Sequence, residues 1–181
     1  GLRKWGVDVV QAEVLGIDAA KREVRLADGR TLPYDRLIVS PGVDYLYDQV
    51  PSLKAAEESG RVLTAWKAGP QTVALRRQLE ALPDGGVYAI TIPLAPYRCP
   101  PGPYERACQV ASYFKASKPK SKVLILDANP DVTSKGPLFK RVWAEQYKGI
   151  VEYRGNNALT DIDAKTLTAK LQLDDVRAGV L

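Results

Sequence analysis

Cys99 stands between Arg98 and the run Pro100-Pro101-Gly102-Pro103, and Glu105 and Arg106 follow that run closely. An apolar stretch, Val87–Ile92, leads into this turn, and a helical pattern follows it. Strand, tight turn and helix N-terminus together form the place where α/β proteins put cofactors and chemistry. A thiol beside a helix N-terminus is the better nucleophile, because the aligned peptide dipoles favour its thiolate form. Prolines fix φ and restrict the residues before them, so the turn holds its sulfur in one place. Arg98 and Arg106 add to this effect where they point toward the sulfur. Glu105, in the first helical turn, is placed to exchange a proton with a group bound at the thiol. Plainer readings exist for the same residues: Cys99 as a buried turn residue, and Glu105 as an acid that complements the helix dipole. Spacing by itself leaves both readings of each residue open.

Other chemistries are narrowed by what the chain lacks. It contains no His, which excludes Ser-His and Cys-His catalysis and His-ligated zinc within these residues. Two cysteines cannot make a four-cysteine metal site, so no metal site is expected. Cys108 lies nine residues beyond Cys99, inside the helical pattern, and reads as a small core residue rather than a disulfide partner. A dinucleotide-binding turn needs glycines that admit the pyrophosphate and N–H groups that bind it. Here three prolines remove three donors and one glycine remains, which argues against NAD(P) in this crossover. Asp127 ends the next strand, where a ribose-binding acid would stand, but without the glycine loop it reads as a strand-end turn residue. Tyr97 and Tyr104 flank the proline turn and are candidates to line a pocket or to pack, while Trp66 and Trp143 read as packing residues.

Several elements must hold that turn in place. Pro70–Leu82 reads as a helix, with Pro70 suited to its first turn and Leu75, Leu79 and Leu82 on one face. Val87–Ile92 and Lys122–Asp127 are almost wholly apolar, the mark of a sheet covered on both sides. Between them, Tyr104–Ala116 is helical, giving a right-handed βαβ crossover. Pro137–Lys148 is a further helix, with Leu138, Val142 and Trp143 as its inward candidates and Gly149 as its stop. Ile150–Tyr153 is a third parallel strand, and Ala158–Asp163 with Thr166–Leu173 form a hairpin. Ahead of this unit come three strands. Asp8–Asp18, Glu23–Ala27 and Thr31–Ser40 read as an antiparallel meander turned by Asp28-Gly29, with Leu37-Ile38-Val39 as a buried finish. Val43–Arg61 is a connector with a short helix at Leu53–Ser59. The expected fold is α/β: a doubly wound, Rossmann-like parallel βαβ domain over 62–181, preceded by a meander domain over 1–61.

Composition suits this reading. The 181 residues are 45% hydrophobic and 26% charged, enough for one ordinary domain or one domain and part of another. No apolar run is long enough to span a bilayer. The net charge of +5 is mild, and the one basic cluster, Lys115–Lys122, lacks interleaved aromatics. It reads as a solvated linker rather than a nucleic-acid surface. The chain has no Met and opens on a strand-like pattern, so it is expected to be an internal piece of a longer protein.

Two stretches carry a family resemblance. Tyr34-Asp35-Arg36-Leu37-Ile38-Val39-Ser40-Pro41-Gly42 resembles the segment that precedes the inserted second domain of two-dinucleotide-binding-domain flavoproteins. More narrowly, Ala65-Trp66-Lys67-Ala68-Gly69 together with Tyr97-Arg98-Cys99-Pro100-Pro101-Gly102-Pro103-Tyr104-Glu105-Arg106 closely resembles the flavin-binding subunit of flavocytochrome c sulfide dehydrogenase, a relative of sulfide:quinone oxidoreductases. The resemblance implies a split FAD domain for the meander and a periplasmic enzyme that oxidises sulfide. In such an enzyme a redox-active disulfide beside FAD meets the sulfide, and the electrons pass to a c-type cytochrome subunit. It implies that Cys99 is one cysteine of that pair and Glu105 a proton-handling group. Ser40, Pro41 and Gly42 would pass the flavin nucleotide, and the backbone at Val10 would meet the adenine. Cys108 does not match the second cysteine.

Two other readings stand beside this one: a pyridine-nucleotide-dependent disulfide reductase or NADH dehydrogenase, and a non-catalytic module that docks a cytochrome. The family's glycine-rich flavin motif and its second redox cysteine are absent from these residues, so this stretch alone is expected to be inactive. The 181-residue chain is therefore expected to purify without stoichiometric flavin, which its visible spectrum checks.

Overall fold

Asp28 and Gly29 turn the chain as their types predict. In the computed structural model, which describes residues 2–66 and 69–181, β1 (Val14–Asp18), β2 (Glu23–Leu26) and β3 (Thr31–Pro33) form an antiparallel sheet in that order. Gly29 takes φ +85°, which a side chain would resist. The Asp28 carboxylate accepts the Arg30 N–H and pairs with its guanidinium, which holds the carboxyl below its ordinary value. The strands are shorter than expected. Residues 8–13 and 34–40 are not strand, and Leu37, Ile38 and Val39 are exposed rather than a buried finish, Ile38 at 90%. The reason lies in the register. β2 begins at Glu23, opposite Pro33, and the Tyr34 N–H is the last to reach across, to the Arg22 carbonyl. Beyond it the sheet offers no strand to pair with.

The chain divides into compact units at 1–44 and 45–181, so the expected boundary after residue 61 moves toward the N-terminus. The connector belongs to the second unit because its side chains are tied there. The Ser52 hydroxyl bonds the Asp161 carboxylate and the Ile162 carbonyl, and holds the Asp161 carboxyl below its ordinary value. In α1 (Leu53–Glu58), Ala56 is buried in a cluster with Leu124 and Ile162. Glu57 is hydrogen-bonded by Tyr47 and by Gln71, the latter at the start of α2 (Pro70–Ala81).

The second unit is a βαβαβ run. β4 (Val87–Ile92), α3 (Gly102–Ser117), β5 (Lys122–Asp127), α4 (Gly136–Glu145) and β6 (Val151–Arg154) give a parallel sheet in the order β4-β5-β6. Alternate residues of a strand face opposite ways. Tyr88, Ile92, Val123 and Ile125 pack with Tyr104, Ala107, Ala111 and Phe114 of α3 and with Phe139 and Trp143 of α4. Complete burial of a side chain like Phe114 stabilises by about 1.5–3 kcal/mol. Ala89, Leu124 and Leu126 face the other way. They meet α1 and a second antiparallel sheet made of β7 (Leu159–Asp163), β8 (Thr168–Leu171) and β9 (Asp175–Arg177). Both faces are covered, which is why β4 and β5 are almost wholly apolar.

Three local expectations change. In α4 the inward pair is Phe139 and Trp143, stacked with ring centroids 5.9 Å apart, while Leu138 is exposed. That helix ends at Glu145, and Gly149, at φ +78°, turns the chain into β6 instead of stopping the helix. At the end of the sequence, β9 adds a third strand to the hairpin. Beyond it the Ala89 N–H donates to the Val180 carbonyl at 2.8 Å, and Tyr88 and Val180 form a parallel bridge along the edge of β4.

Lys118 was expected to be a solvated linker residue. Its ammonium donates to the carbonyls of Leu79 at 2.9 Å, Glu80 at 2.7 Å and Leu82 at 2.5 Å, and lies over the Tyr113 ring. These carbonyls end α2, where a cation is favoured and acceptors lack helical partners. Replacing Lys118 by Met is expected to cost about 1–2 kcal/mol, read as a lower urea midpoint.

Candidate functional site

Beyond Ile92 the chain leaves the parallel sheet at the C-terminal end of β4 and runs through Pro93–Pro101 into α3. The Ala95–Pro96 peptide is cis. Cys99 is exposed, so the reading of it as a buried turn residue is excluded. Its φ is +56°, a region that costs a residue with a side chain about 1–3 kcal/mol. The Cys99 carbonyl accepts the Gly102 N–H at 2.9 Å. Pro100, Pro101 and Pro103 have no N–H, so three donors that a dinucleotide phosphate would use here are missing and that of Gly102 is taken.

Gly102 has both the Cys99 sulfur and the Trp66 ring near it. A Cβ at Gly102 would lie 3.5 Å from the Cys99 Sγ and 3.5 Å from Cη2 of Trp66. Trp66, expected only to pack, is half-exposed beside the cysteine turn. Arg106 donates to the Ala65 carbonyl at 3.3 Å and so holds the residue next to Trp66. It also lies beside the Tyr88 phenol, whose pKa is raised by burial and partly lowered again by Arg106. Glu105 is exposed in the first turn of α3, and Arg98 is exposed in the loop.

Below the loop lies a polar network that the sequence did not reveal. Asp127 is completely buried. One carboxylate oxygen accepts the Asn129 N–H at 2.9 Å and its side-chain amide at 2.7 Å. The other accepts the hydroxyls of Tyr104 at 2.6 Å and Tyr153 at 3.1 Å. Both phenols are pushed well above their ordinary pKa by burial and by Asp127, so they remain neutral donors. Asp127 is thus closed to a ribose. Tyr97 is half-buried, and its hydroxyl reaches Thr133 at 2.7 Å, Tyr104 at 3.3 Å and the Pro100 carbonyl at 3.3 Å. The only hint in the sequence was Asp-Ala-Asn at the end of a buried strand, a pattern that any tight turn shares.

Cys99 and Cys108 are both free thiols. Cys108 is half-buried and accepts the Trp143 indole N–H at 3.3 Å, and burial raises its pKa. Among the described residues, no three His, Cys, Asp or Glu side chains gather as a metal site, and no helix is long and apolar enough to cross a membrane.

The residues with an implied flavin role lie in the first unit. Val10, Ser40, Pro41 and Gly42 are all exposed, and Gly42 takes φ +84° with open space where a Cβ would stand. An exposed turn bearing a left-handed glycine fits close backbone approach by a flat ligand.

Over residues 72–181 the chain matches the family described as sulfide dehydrogenase (flavocytochrome c) flavoprotein chain, central. Among solved structures, the sulfide:quinone oxidoreductase of Aquifex aeolicus is similar with a TM-score of 0.72 at 16% identity, covering 99% of this chain and 42% of that one. A ferredoxin reductase from Rhodopseudomonas palustris gives 0.63 at 13% identity, covering 99% and 41%. A pyridine nucleotide-disulfide family oxidoreductase from Enterococcus faecalis V583 gives 0.63 at 15%, covering 93% and 37%. At these identities the likeness is one of fold. The chain spans about two fifths of the length of these proteins.

The two thiols differ enough to be told apart. Iodoacetamide at neutral pH is expected to label Cys99 at least about tenfold faster than Cys108, since burial opposes formation of the Cys108 thiolate. Peptide mass spectrometry over a time course measures both rates.

Proposed function

The chain belongs to the family of the flavocytochrome c sulfide dehydrogenase flavoprotein chain, and from that membership we propose that Cys99 is the sulfur that meets sulfide in a flavin-dependent oxidoreductase. The observation that carries the proposal is an exposed cysteine on a proline-stiffened loop at the C-terminal end of a parallel sheet, beside a helix N-terminus. Sulfide breaks the S–S bond that joins Cys99 to a second cysteine. A new S–S bond forms between the sulfide and one of the pair, and the other leaves as a thiolate. Cys108 is not that second cysteine, because its sulfur is engaged by Trp143 inside the helix layer. Glu105, exposed in the first helical turn, handles the proton that sulfide gives up.

FAD, when bound, supplies a two-electron acceptor for this chemistry. Ser40, Pro41, Gly42 and Val10 are the residues of this chain that would lie along it. A c-type cytochrome subunit in the periplasm is the proposed next acceptor. The reading as a pyridine-nucleotide enzyme is disfavoured at this crossover, where three prolines take away three phosphate donors.

The test uses the flavin-loaded subunit that contains these residues. Cys99→Ser is expected to slow bleaching of the flavin by anaerobic sulfide by about 100-fold or more, measured by stopped flow. Glu105→Gln is expected to retain bleaching with an altered pH profile. Bleaching at the parent rate in Cys99→Ser would sink the proposal and favour a docking role.

A further inference from the structure

The geometry assigns Asp127 and Asn129 a positioning role: from the end of the neighbouring strand they clamp the loop that carries Cys99. The significance of the clamp rests on the reading of Cys99 as the reacting sulfur, though the contacts that form it do not. Burying a carboxylate is expensive unless donors surround it. Asp127 has four, all from neutral groups, and they are not spread at random. Two come from Asn129, whose side chain is thereby oriented. Its carbonyl oxygen accepts the Ala95 N–H at 2.9 Å, and its amide also donates to the Pro93 carbonyl at 3.0 Å. A third donor, Tyr104, passes the constraint through its contacts with Thr133 and Tyr97 to the Pro100 carbonyl.

The loop is therefore held at residues 93, 95, 97 and 100, and Cys99 lies between the last two. The clamp itself is backed from the β6 side. The Asn156 N–H donates to the Asn129 carbonyl at 2.9 Å, and the Asn157 N–H donates to the Asp127 carbonyl at 2.8 Å. Gly155 allows this close approach, since a Cβ there would stand 2.7 Å from the Pro130 carbonyl oxygen. A strand-end acid that would face a ribose in a dinucleotide-binding unit here faces inward and fixes a cysteine loop. Prolines stiffen the loop locally, and this network ties it to the end of the sheet.

The test is made in the 181-residue chain and needs neither sulfide nor flavin. Asn129→Ala keeps the Asp127 carboxylate and both tyrosine bonds but cuts the ties to Pro93 and Ala95. Asp127→Asn disturbs the centre of the network. Val176→Ala, on the opposite face of the sheet, lowers stability without touching the loop. The iodoacetamide rate at Cys99 is read by peptide mass spectrometry under conditions where each variant is fully folded by circular dichroism. Asn129→Ala is expected to change that rate by at least about threefold, with Asp127→Asn changing it in the same sense and Val176→Ala leaving it as in the parent. An unchanged Cys99 rate in Asn129→Ala overturns the clamp, whether or not Asp127→Asn folds. An equal change in Val176→Ala also overturns it, by showing a general loss of stability. Neither result bears on whether Cys99→Ser still permits bleaching by sulfide, so the two readings fail separately.

Discussion

A carboxylate cut off from water must be matched by donors, and at Asp127 that requirement organises the surroundings of the site. Its four hydrogen bonds draw in α3 through Tyr104, β6 through Tyr153, and the following turn through Asn129. Three elements distant in sequence thereby meet at the C-terminal end of the sheet. The loop that leaves β4 is laid over them and takes its position from them. An apolar residue in place of Asp127 would remove the acceptor shared by Tyr104, Tyr153 and Asn129, and each buried donor left unpaired costs about 1–3 kcal/mol.

The rest of the second unit gives that junction a rigid base. Its parallel sheet has helices α2, α3 and α4 associated with one core cluster and α1 with an antiparallel sheet on the other. Side chains of adjacent parallel strands lie in register on both faces, and completely buried residues such as Phe114, Val123, Ile125 and Leu126 leave little room for sliding. A loop at the end of such strands inherits their rigidity. The prolines then make a second use of the backbone. Sites that bind phosphate keep free N–H groups at the helix start, whereas here three residues around the start of α3 have no N–H and the Gly102 N–H is used by the Cys99 carbonyl. The same fold that elsewhere receives an anion is set to present a thiol.

The two cysteines show how environment separates one residue type into two behaviours. Cys99 is exposed in a backbone region that costs energy, against Gly102 and beside Trp66. Cys108 lies in the middle of α3, in contact with the Trp143 indole, where burial disfavours its thiolate. Strain held at an exposed cysteine, in a loop fixed from below, is the arrangement expected where geometry matters more than local stability.

What the sequence determined by itself was local. Apolar runs bounded by turn residues marked β4 and β5 to the residue, and leucine spacing with an N-terminal proline marked α2. The absent N–H groups of three prolines argue against a phosphate cradle from the sequence itself, because that is a property of the residue type. The strand limits of the meander, the inward residues of α4 and the cap supplied by Lys118 were not legible, since each depends on what lies opposite. Leu37–Val39 reads as buried until the register of β2 shows that no partner strand reaches it. Above all, the sequence could name Cys99 but not say whether its sulfur meets solvent, and it could see Asp127 but not its direction. A side chain's partners across 23 or more residues, as from Asp127 to Tyr104, exist only once strands and helices have been packed. Composition carries no record of that packing, so the exposure of Cys99 and the burial of Asp127 were decided by the tertiary structure alone.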